Sequence, residues 1–478
     1  MKIQDIHVSK IIVVGGGTAG LISALILKQT FNVEIQIIKS DEIGIIGVGE
    51  GSTEQWQDFL TYCQIDWKEL IRETDATVKL GIYFTGGWSN KNYYHSIQRG
   101  FSDIKLGQLN FSYLCLLANK INQIKTADYL AIENLVKNDL NKPPSNQYHF
   151  NTFKLNKYLL KKCEERNIKV ISDTIKTVVT NDLGRIDKLI GEKEYKADFY
   201  IDCTGFKRLL ISKVGGKWKS YSKNFLMNEA IAFPTQDTDE YTPYTESRKT
   251  KNGWVWRIPT YGRWGNGHVF NNNLKNADDA KKESEEILGY EIEIGKHVKF
   301  DPGALEKMWI QNCLAVGLCA SFVEPLEATS IGTTIQQIFL FNQYFIDQSL
   351  SSRNKYNEKM SIVMDNLKEF VLIHYLNEQD ITLPKELQEK LKVWKKRPPI
   401  GEDFLGCSYS LFYTENYTQV LYGMDFWNPD EIKNILLKFD RKALKILTKI
   451  TEDTVNNYIN EKIKYISHKK WIENIRST

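Results

Sequence analysis

The residues of this chain that are best placed to do chemistry sit in a few short stretches. Lys10-Ile-Ile-Val-Val-Gly-Gly-Gly-Thr-Ala-Gly20 passes from a β-branched run into glycines, and Leu21-Ile-Ser-Ala-Leu-Ile-Leu27 then resumes with helical spacing. The reading is strand, tight turn and helix start. Such turns bind dinucleotides. Gly15 permits the turn, Gly17 lets the backbone approach a pyrophosphate, and Gly20 lets helix and strand pack closely, while the helix N-terminus offers N–H groups and the positive end of its dipole. Lys79 lies in Thr77-Val-Lys-Leu-Gly-Ile-Tyr-Phe84, where alternation puts it on the face opposite Val78 and Leu80, toward solvent or a cavity. Trp254 and Trp256 in Gly253-Trp-Val-Trp-Arg-Ile-Pro259 share one strand face. Taken alone, a strand lysine is usually a solvated charge and a Trp-x-Trp pair is usually sheet packing.

The elements that must position these groups can be read in order. A second strand covers Val33–Ile38 and ends at Lys39, where dinucleotide folds usually place an acid for the adenosine ribose, with Ser40 and Asp41 next. Ile46-Gly-Val-Gly-Glu-Gly-Ser-Thr53 is a glycine-rich loop with a helix cap at Ser52 or Thr53, and residues 54–75 read as one helix. Residues 108–135 and 152–166 read as helices, with Tyr148-His-Phe-Asn151 leading into the latter and a strand opening at Ile168. Ala197-Asp-Phe-Tyr-Ile-Asp-Cys-Thr-Gly-Phe206 is a buried strand ending in a glycine turn, as expected where a central strand meets a ligand. Residues 225–300 alternate as an antiparallel sheet, Leu314–Ile331 returns to the glycine-rich site, and a helix covers 332–348. The fold class is α/β. Residues 1–350 form an interleaved core whose substrate-side sheet takes in about 80–100 and 220–300, and 351–478 form a helical covering region.

Composition excludes several classes of function. The 478 residues carry 63 basic and 59 acidic side chains, a net charge of +4 with no basic tract, so nucleic acid is not an implied partner. Aromatic residues make up 12% of the chain, which argues for a large ordered core. Seven scattered cysteines without a CxxC read as reduced thiols of a cytoplasmic protein rather than disulfides or a metal site. Nowhere do about 18 apolar residues run together, so no membrane span is expected. A homo-oligomer is compatible with the composition.

An N-terminal GxGxxG followed by a late strand-Gly-helix element resembles the FAD-dependent, hydroxybenzoate-hydroxylase-like flavoproteins, with a Rossmann-like fold. Lys79 in Val-Lys-Leu-Gly, Trp254-x-Trp256-x-Ile258-Pro259 and Phe322-Val-Glu-Pro-Leu-Glu327 together resemble the flavin-dependent tryptophan-halogenase family, from about residue 8 to about residue 430. The resemblance implies that reduced FAD, O2 and a halide yield hypohalous acid. Trp254 and Trp256 keep the substrate away from the flavin's reactive oxygen, and the oxidant travels to Lys79, which polarises the halogen or forms a haloamine. Glu327 matches the glutamate that stabilises the ring cation or takes up its proton, and Thr329 and Ser330 match the pair whose backbone N–H groups hold the halide. By the same match, Gly16 and Ala19 lie on the phosphate turn and Ser40 and Ile43 follow the second strand. Ile46, Val48 and Gly51 line the glycine loop, and Ile175, Leu318 and Ile331 contact the flavin. His95 matches a residue that stacks on the substrate ring, and Ile97 stands where tryptophan-specific members place a Phe.

The chain also departs from the family. It has Ala328 and Ser330 where tryptophan-specific members carry Ser and Gly, which opens the choice among chloride, bromide and iodide. Tyr413, Glu415, Tyr417 and Trp427 only loosely echo the residues that hold free tryptophan, so an indole-like aromatic is expected. No second nucleotide-binding motif is visible, so a separate flavin reductase supplies FADH2. The rival readings are a flavin-dependent aromatic hydroxylase and a flavin-binding remnant that has lost catalysis.

Overall fold

Ile11, Ile12 and Val13 are fully buried, as expected of a strand covered on both faces, and this run lies inside a sheet that is parallel except at one edge. The computed structural model describes residues 8–47, 50–96, 133–145, 147–404 and 409–478. The chain divides into two units: residues 1–74, 150–222 and 300–365, and residues 75–149, 223–299 and 366–478.

The first unit holds a six-stranded sheet in the order Trp309–Ile310, Cys313–Ala315, Phe199–Asp202, Lys10–Val14, Glu34–Lys39, Lys169–Ser172. Lys10–Val14 pairs in parallel with both of its neighbours, Ile11 facing Phe199 on one side and Ile35 on the other. The helix Thr18–Thr30 returns over this sheet and buries every residue from Gly20 to Leu27. The helix expected over 54–75 is two, Gln55–Tyr62 and Trp67–Thr74, because Gln64 between them takes a left-handed φ of 52°. Thr152–Glu165 begins where Asn151 caps it, its side chain accepting from Phe153 and Lys154 N–H.

The second unit is built on a seven-stranded sheet in the order Lys296–Lys299, Glu229–Thr235, Arg263–Phe270, Gly253–Thr260, Tyr244–Thr250, Gly81–Thr85, Tyr93–Ser96. All its pairings are antiparallel except that of Tyr244–Thr250 with Gly81–Thr85, where two strands far apart in sequence run side by side. The single strand expected over 77–84 is interrupted: Thr77–Val78 pairs with Tyr148–His149, and the sheet strand starts only at Gly81. Lys79 and Leu80 form the step between them. Helices follow from Lys385, though a short strand, Tyr465–Ser467, pairs with Leu135–Lys137 before the last helix, His468–Ser477. Most of the helix expected over 108–135 lies outside the described residues, and no described helix is long and apolar enough to cross a membrane.

Candidate active site

In the first unit, the strand-to-helix turn works by leaving side chains out. Gly15 holds φ at 123°, and a Cβ there would stand 2.3 Å from the Cys203 carbonyl oxygen. Its N–H donates to the Ile38 carbonyl at 2.9 Å. A Cβ on Gly20 would stand 2.0 Å from the Gly15 carbonyl oxygen, so helix and turn touch backbone to backbone. Gly17 differs: its Cβ would meet nothing within 4 Å. The helix behind it has no side-chain cap and no acid in its first turn, so its N–H groups present an uncompensated positive end. An open, donor-rich turn of this kind fits the pyrophosphate of a dinucleotide such as FAD. Ala19 packs against the turn Gly317–Cys319, where a Cβ on Gly317 would stand 2.6 Å from that of Ala19, which brings half-buried Leu318 to the same place.

Around this turn, Ser40 Oγ and Thr174 Oγ1 share a hydrogen bond of 2.7 Å, joining the ends of neighbouring strands beside Ile175, which is buried. Ile43 is largely exposed, Ile46 half-buried and Gly51 buried, and Val48 lies outside the described residues. Lys39, in the position usually held by the ribose acid, lays its stem over Gly16 and pairs its ammonium with Asp41. That pairing holds the Asp41 carboxyl below its usual range. Sequence reasoning missed Asp202, whose carboxylate accepts from Thr204 N–H and O–H and from the N–H groups of Leu210 and Ile211 at 2.7–3.0 Å. The glycine turn expected to meet a ligand is thereby held from within.

The segment after Phe322 buries two carboxylates, Glu324 at 0% and Glu327 at 1% exposure. Ala328 then takes a left-handed φ of 54°, and the helix Thr329–Tyr344 starts without a side-chain cap or an acid in its first turn. Thr329 and Ile331 are buried and Ser330 half-buried in that first turn. Gly332 is needed there, since a Cβ would stand 2.0 Å from Thr53 Oγ1.

The second unit holds the lysine. Lys79 is fully buried, an expensive location for an ammonium group. Its backbone is fixed on both sides: its N–H donates to the Gln147 carbonyl at 3.0 Å, and its carbonyl accepts from Ser145 Oγ at 2.7 Å. On one side of it Val78 N–H donates to His468 Nε2 at 2.9 Å, and on the other Leu80 N–H donates to the Pro243 carbonyl at 2.7 Å. His149 bonds Thr245 Oγ1 through Nε2 at 2.9 Å and Thr77 Oγ1 through Nδ1 at 3.3 Å. Because Thr77 spends its own proton on the Pro259 carbonyl, it accepts from Nδ1–H of His149. Burial first, then the neighbouring Lys79 ammonium, pushes the His149 pKa well below the usual value, so the ring is neutral. Neither His149 nor His468 carried a signal, since both come from positions remote in sequence.

Trp254 and Trp256 are buried on adjacent same-face positions with ring centroids 6.0 Å apart. A Cβ on Gly267 would lie 2.1 Å from the Trp256 indole, so that ring lies flush on the neighbouring strand. His95 is buried, accepts through Nε2 from Asn416 Nδ2 at 3.1 Å, and lies 5.3 Å from the Phe370 ring and 6.2 Å from that of Phe412. Ile97 lies outside the described residues. Tyr417 donates to the Asn366 carbonyl and Trp427 to that of Trp394, so both polar groups are used within the protein. Among the described residues no group of His, Cys, Asp or Glu is arranged to hold a metal.

A family model described as tryptophan halogenase matches residues 10–439. The 7-chloro-L-tryptophan 6-halogenase KtzR of Kutzneria sp. (strain 744) is 27% identical over 444 residues, which cover 82% of this chain and 86% of that protein. The tryptophan 7-halogenase RebH of Lentzea aerocolonigenes is 25% identical over 475 residues, covering 88% and 87%. A solved tryptophan halogenase from Shewanella frigidimarina NCIMB 400 has the same fold, with a TM-score of 0.91 at 24% identity over 100% of this chain and 99% of that one. These likenesses favour halogenation over the rival hydroxylase reading. The chain belongs to the tryptophan halogenase family and is a flavin-dependent halogenase.

Proposed function

We propose that this enzyme halogenates an indole-like aromatic, with FADH2 delivered by a separate reductase in the cytoplasm and with Lys79 and Glu327 as its catalytic residues. The observation that carries this reading is Lys79 itself: a fully buried lysine, fixed through the backbone on both sides. An ionisable group taken fully out of water on a backbone fixed this way is where catalytic lysines are found, which is the reason to assign it a chemical role. Bound reduced flavin, with O2 and a halide, supplies hypohalous acid. The N–H groups at the uncapped start of Thr329–Tyr344, at Thr329 and Ser330, suit the halide, and those at Gly17 and the helix behind it suit the pyrophosphate.

Lys79 donates a hydrogen bond to the oxygen of the hypohalous acid and so weakens the oxygen–halogen bond. The aromatic ring attacks the halogen as the oxygen–halogen bond breaks, and the oxygen leaves as water with a proton from the Lys79 ammonium, which the proton later lost by the ring restores. Glu327 accepts the proton from the ring carbon, so that aromatic and hypohalous acid become halogenated aromatic and water. A neutral His149 adds no second positive charge beside the lysine. Trp254 and Trp256, bulky and buried, keep the substrate from the flavin's reactive oxygen, so that oxygen is not inserted into the ring directly.

The test is mass spectrometry of indoles and phenols, tryptophan included, incubated with the protein, a generic flavin reductase, FAD, NADH and one of chloride, bromide or iodide. A halide-dependent mass gain is expected and ranks the halides. A gain of one oxygen regardless of halide would overturn the proposal.

A further inference from the structure

Three successive backbone N–H groups surround the lysine, and their acceptors differ in kind. Lys79 and Leu80 donate to carbonyls, of Gln147 and Pro243, which any residue at those positions would provide. Val78 donates to a side chain, His468 Nε2, at 2.9 Å from a residue 390 positions away. That position lies beyond the residues matched by the family model, which end at 439.

His468 is itself anchored. Its N–H donates to the Asn134 carbonyl at 2.9 Å, and the strand before it pairs Ile466 with Val136. It opens the helix His468–Ser477, whose Trp471, Ile472 and Ile475 are fully buried, and Trp471 Nε1 donates to the Asp139 carbonyl at 3.3 Å. The imidazole is fully buried with its ring 6.3 Å from that of Tyr241, edge to face. Accepting from Val78 leaves its proton on Nδ1. Burial depresses its pKa to about 3, against the opposing pull of the Tyr241 and Thr242 carbonyls, so the acceptor is retained throughout the physiological range.

We infer that His468 is a positioning residue for Lys79, holding the Val78 amide so that the step in the chain at Lys79 and Leu80 keeps one conformation. The inference rests on the role proposed for Lys79. An interrupted strand needs such a tether: Thr77–Val78 is only two residues long, and Lys79 lies just outside both it and the strand beginning at Gly81.

The variants are H468F, which keeps a ring and removes the acceptor, and H468Q, whose amide oxygen can replace Nε2. Should H468F not fold, H468N takes its place, since its amide is one methylene too short. In the cofactor-free protein, hydrogen exchange of a peptide spanning 76–81 is expected to quicken at least tenfold in H468F and to return near the unaltered rate in H468Q. With the flavin system supplied, halogenated product per flavin reoxidised is expected to fall at least tenfold in H468F, while hypohalous acid caught by a diffusible scavenger rises. H468Q should recover most of the yield, with the substrate KM changed less than twofold throughout. A merely structural residue would lower product and scavenged oxidant together, leaving their ratio unchanged, and that result overturns the inference. Unchanged exchange in H468F overturns it as well, whatever the activity. Absence of both product and oxidant from the unaltered protein with every halide would instead overturn the proposed function, and the exchange measurement decides the tether independently.

Discussion

The glycine turn and the lysine step solve opposite problems. Around Gly15, Gly17 and Gly20 the chain makes a site by omitting side chains, and what remains is backbone N–H groups with space in front of them. Around Lys79 it makes a site by burying side chains and fixing the backbone with partners at 145, 147, 243 and 468. The first depends on sterics within a few residues. The second depends on segments that meet only after folding, so one can be changed without the other.

The largest effect should come from separating the two. Lys79→Ala is expected to lower halogenated product by about 10³-fold or more, the scale of a lost positioned proton donor, while FAD affinity and flavin reoxidation stay near normal. Loss of flavin oxidation along with product would break the distinction. Trp256→Ala removes a buried indole that rests on Gly267, and truncations of this kind cost about 3–5 kcal/mol, measured as a fall in the urea midpoint.

Acid should loosen the second unit in particular. His149, His268 and His468 are all buried there, with His268 pushed down to about 4 by burial and by Lys275, against the pull of Glu283, and His468 to about 3 by burial. Their folded pKa values lie below the unfolded value of about 6.5, so the unfolded chain binds more protons and stability is lost as pH falls through that window. Each contributes a slope of up to about 1.4 kcal/mol per pH unit. Melting temperature should therefore drop between pH 6.5 and 5, and a flat profile would contradict the neutral, buried state of these rings.

Two glycine substitutions sharpen the contrast within the first unit. Gly20→Ala drives a Cβ into the Gly15 carbonyl and should cost about 1–3 kcal/mol or more of stability. Gly17→Ala enters open space, so melting should barely change while FAD affinity, followed by fluorescence quenching, falls about tenfold, or about 1.4 kcal/mol. The smallest effect is chemical. Cys63, Cys163, Cys203, Cys313 and Cys319 are free thiols, and burial raises each above its usual pKa, Cys63 to about 12. Alkylation followed by peptide mapping should leave these five unmodified in the native protein.

Much of the architecture was legible because its signals are local. An unbroken Ile-Ile-Val-Val run before glycines can hardly be anything but a buried strand entering a turn, and the alternation over 225–300 marks a sheet through its period alone. The break at Gln64 escaped notice because a left-handed residue other than glycine leaves no mark in composition. The interruption at Lys79 is not legible for a different reason: Thr77–Phe84 alternates throughout, while the Val78, Lys79 and Leu80 amides each find an acceptor on a segment remote in sequence, His468, Gln147 and Pro243.

What the sequence determined by itself is the glycine turn between strand and helix, the α/β class and the placement of two tryptophans on one strand face, since steric exclusion and side-chain period act over a few neighbours. Only the tertiary structure decided that Lys79 is fully buried, that a neutral His149 lies beside it, and that His468 holds the preceding amide. The hydrogen bonds behind them join positions 72 and 390 residues apart and are chosen by packing, which no local pattern records.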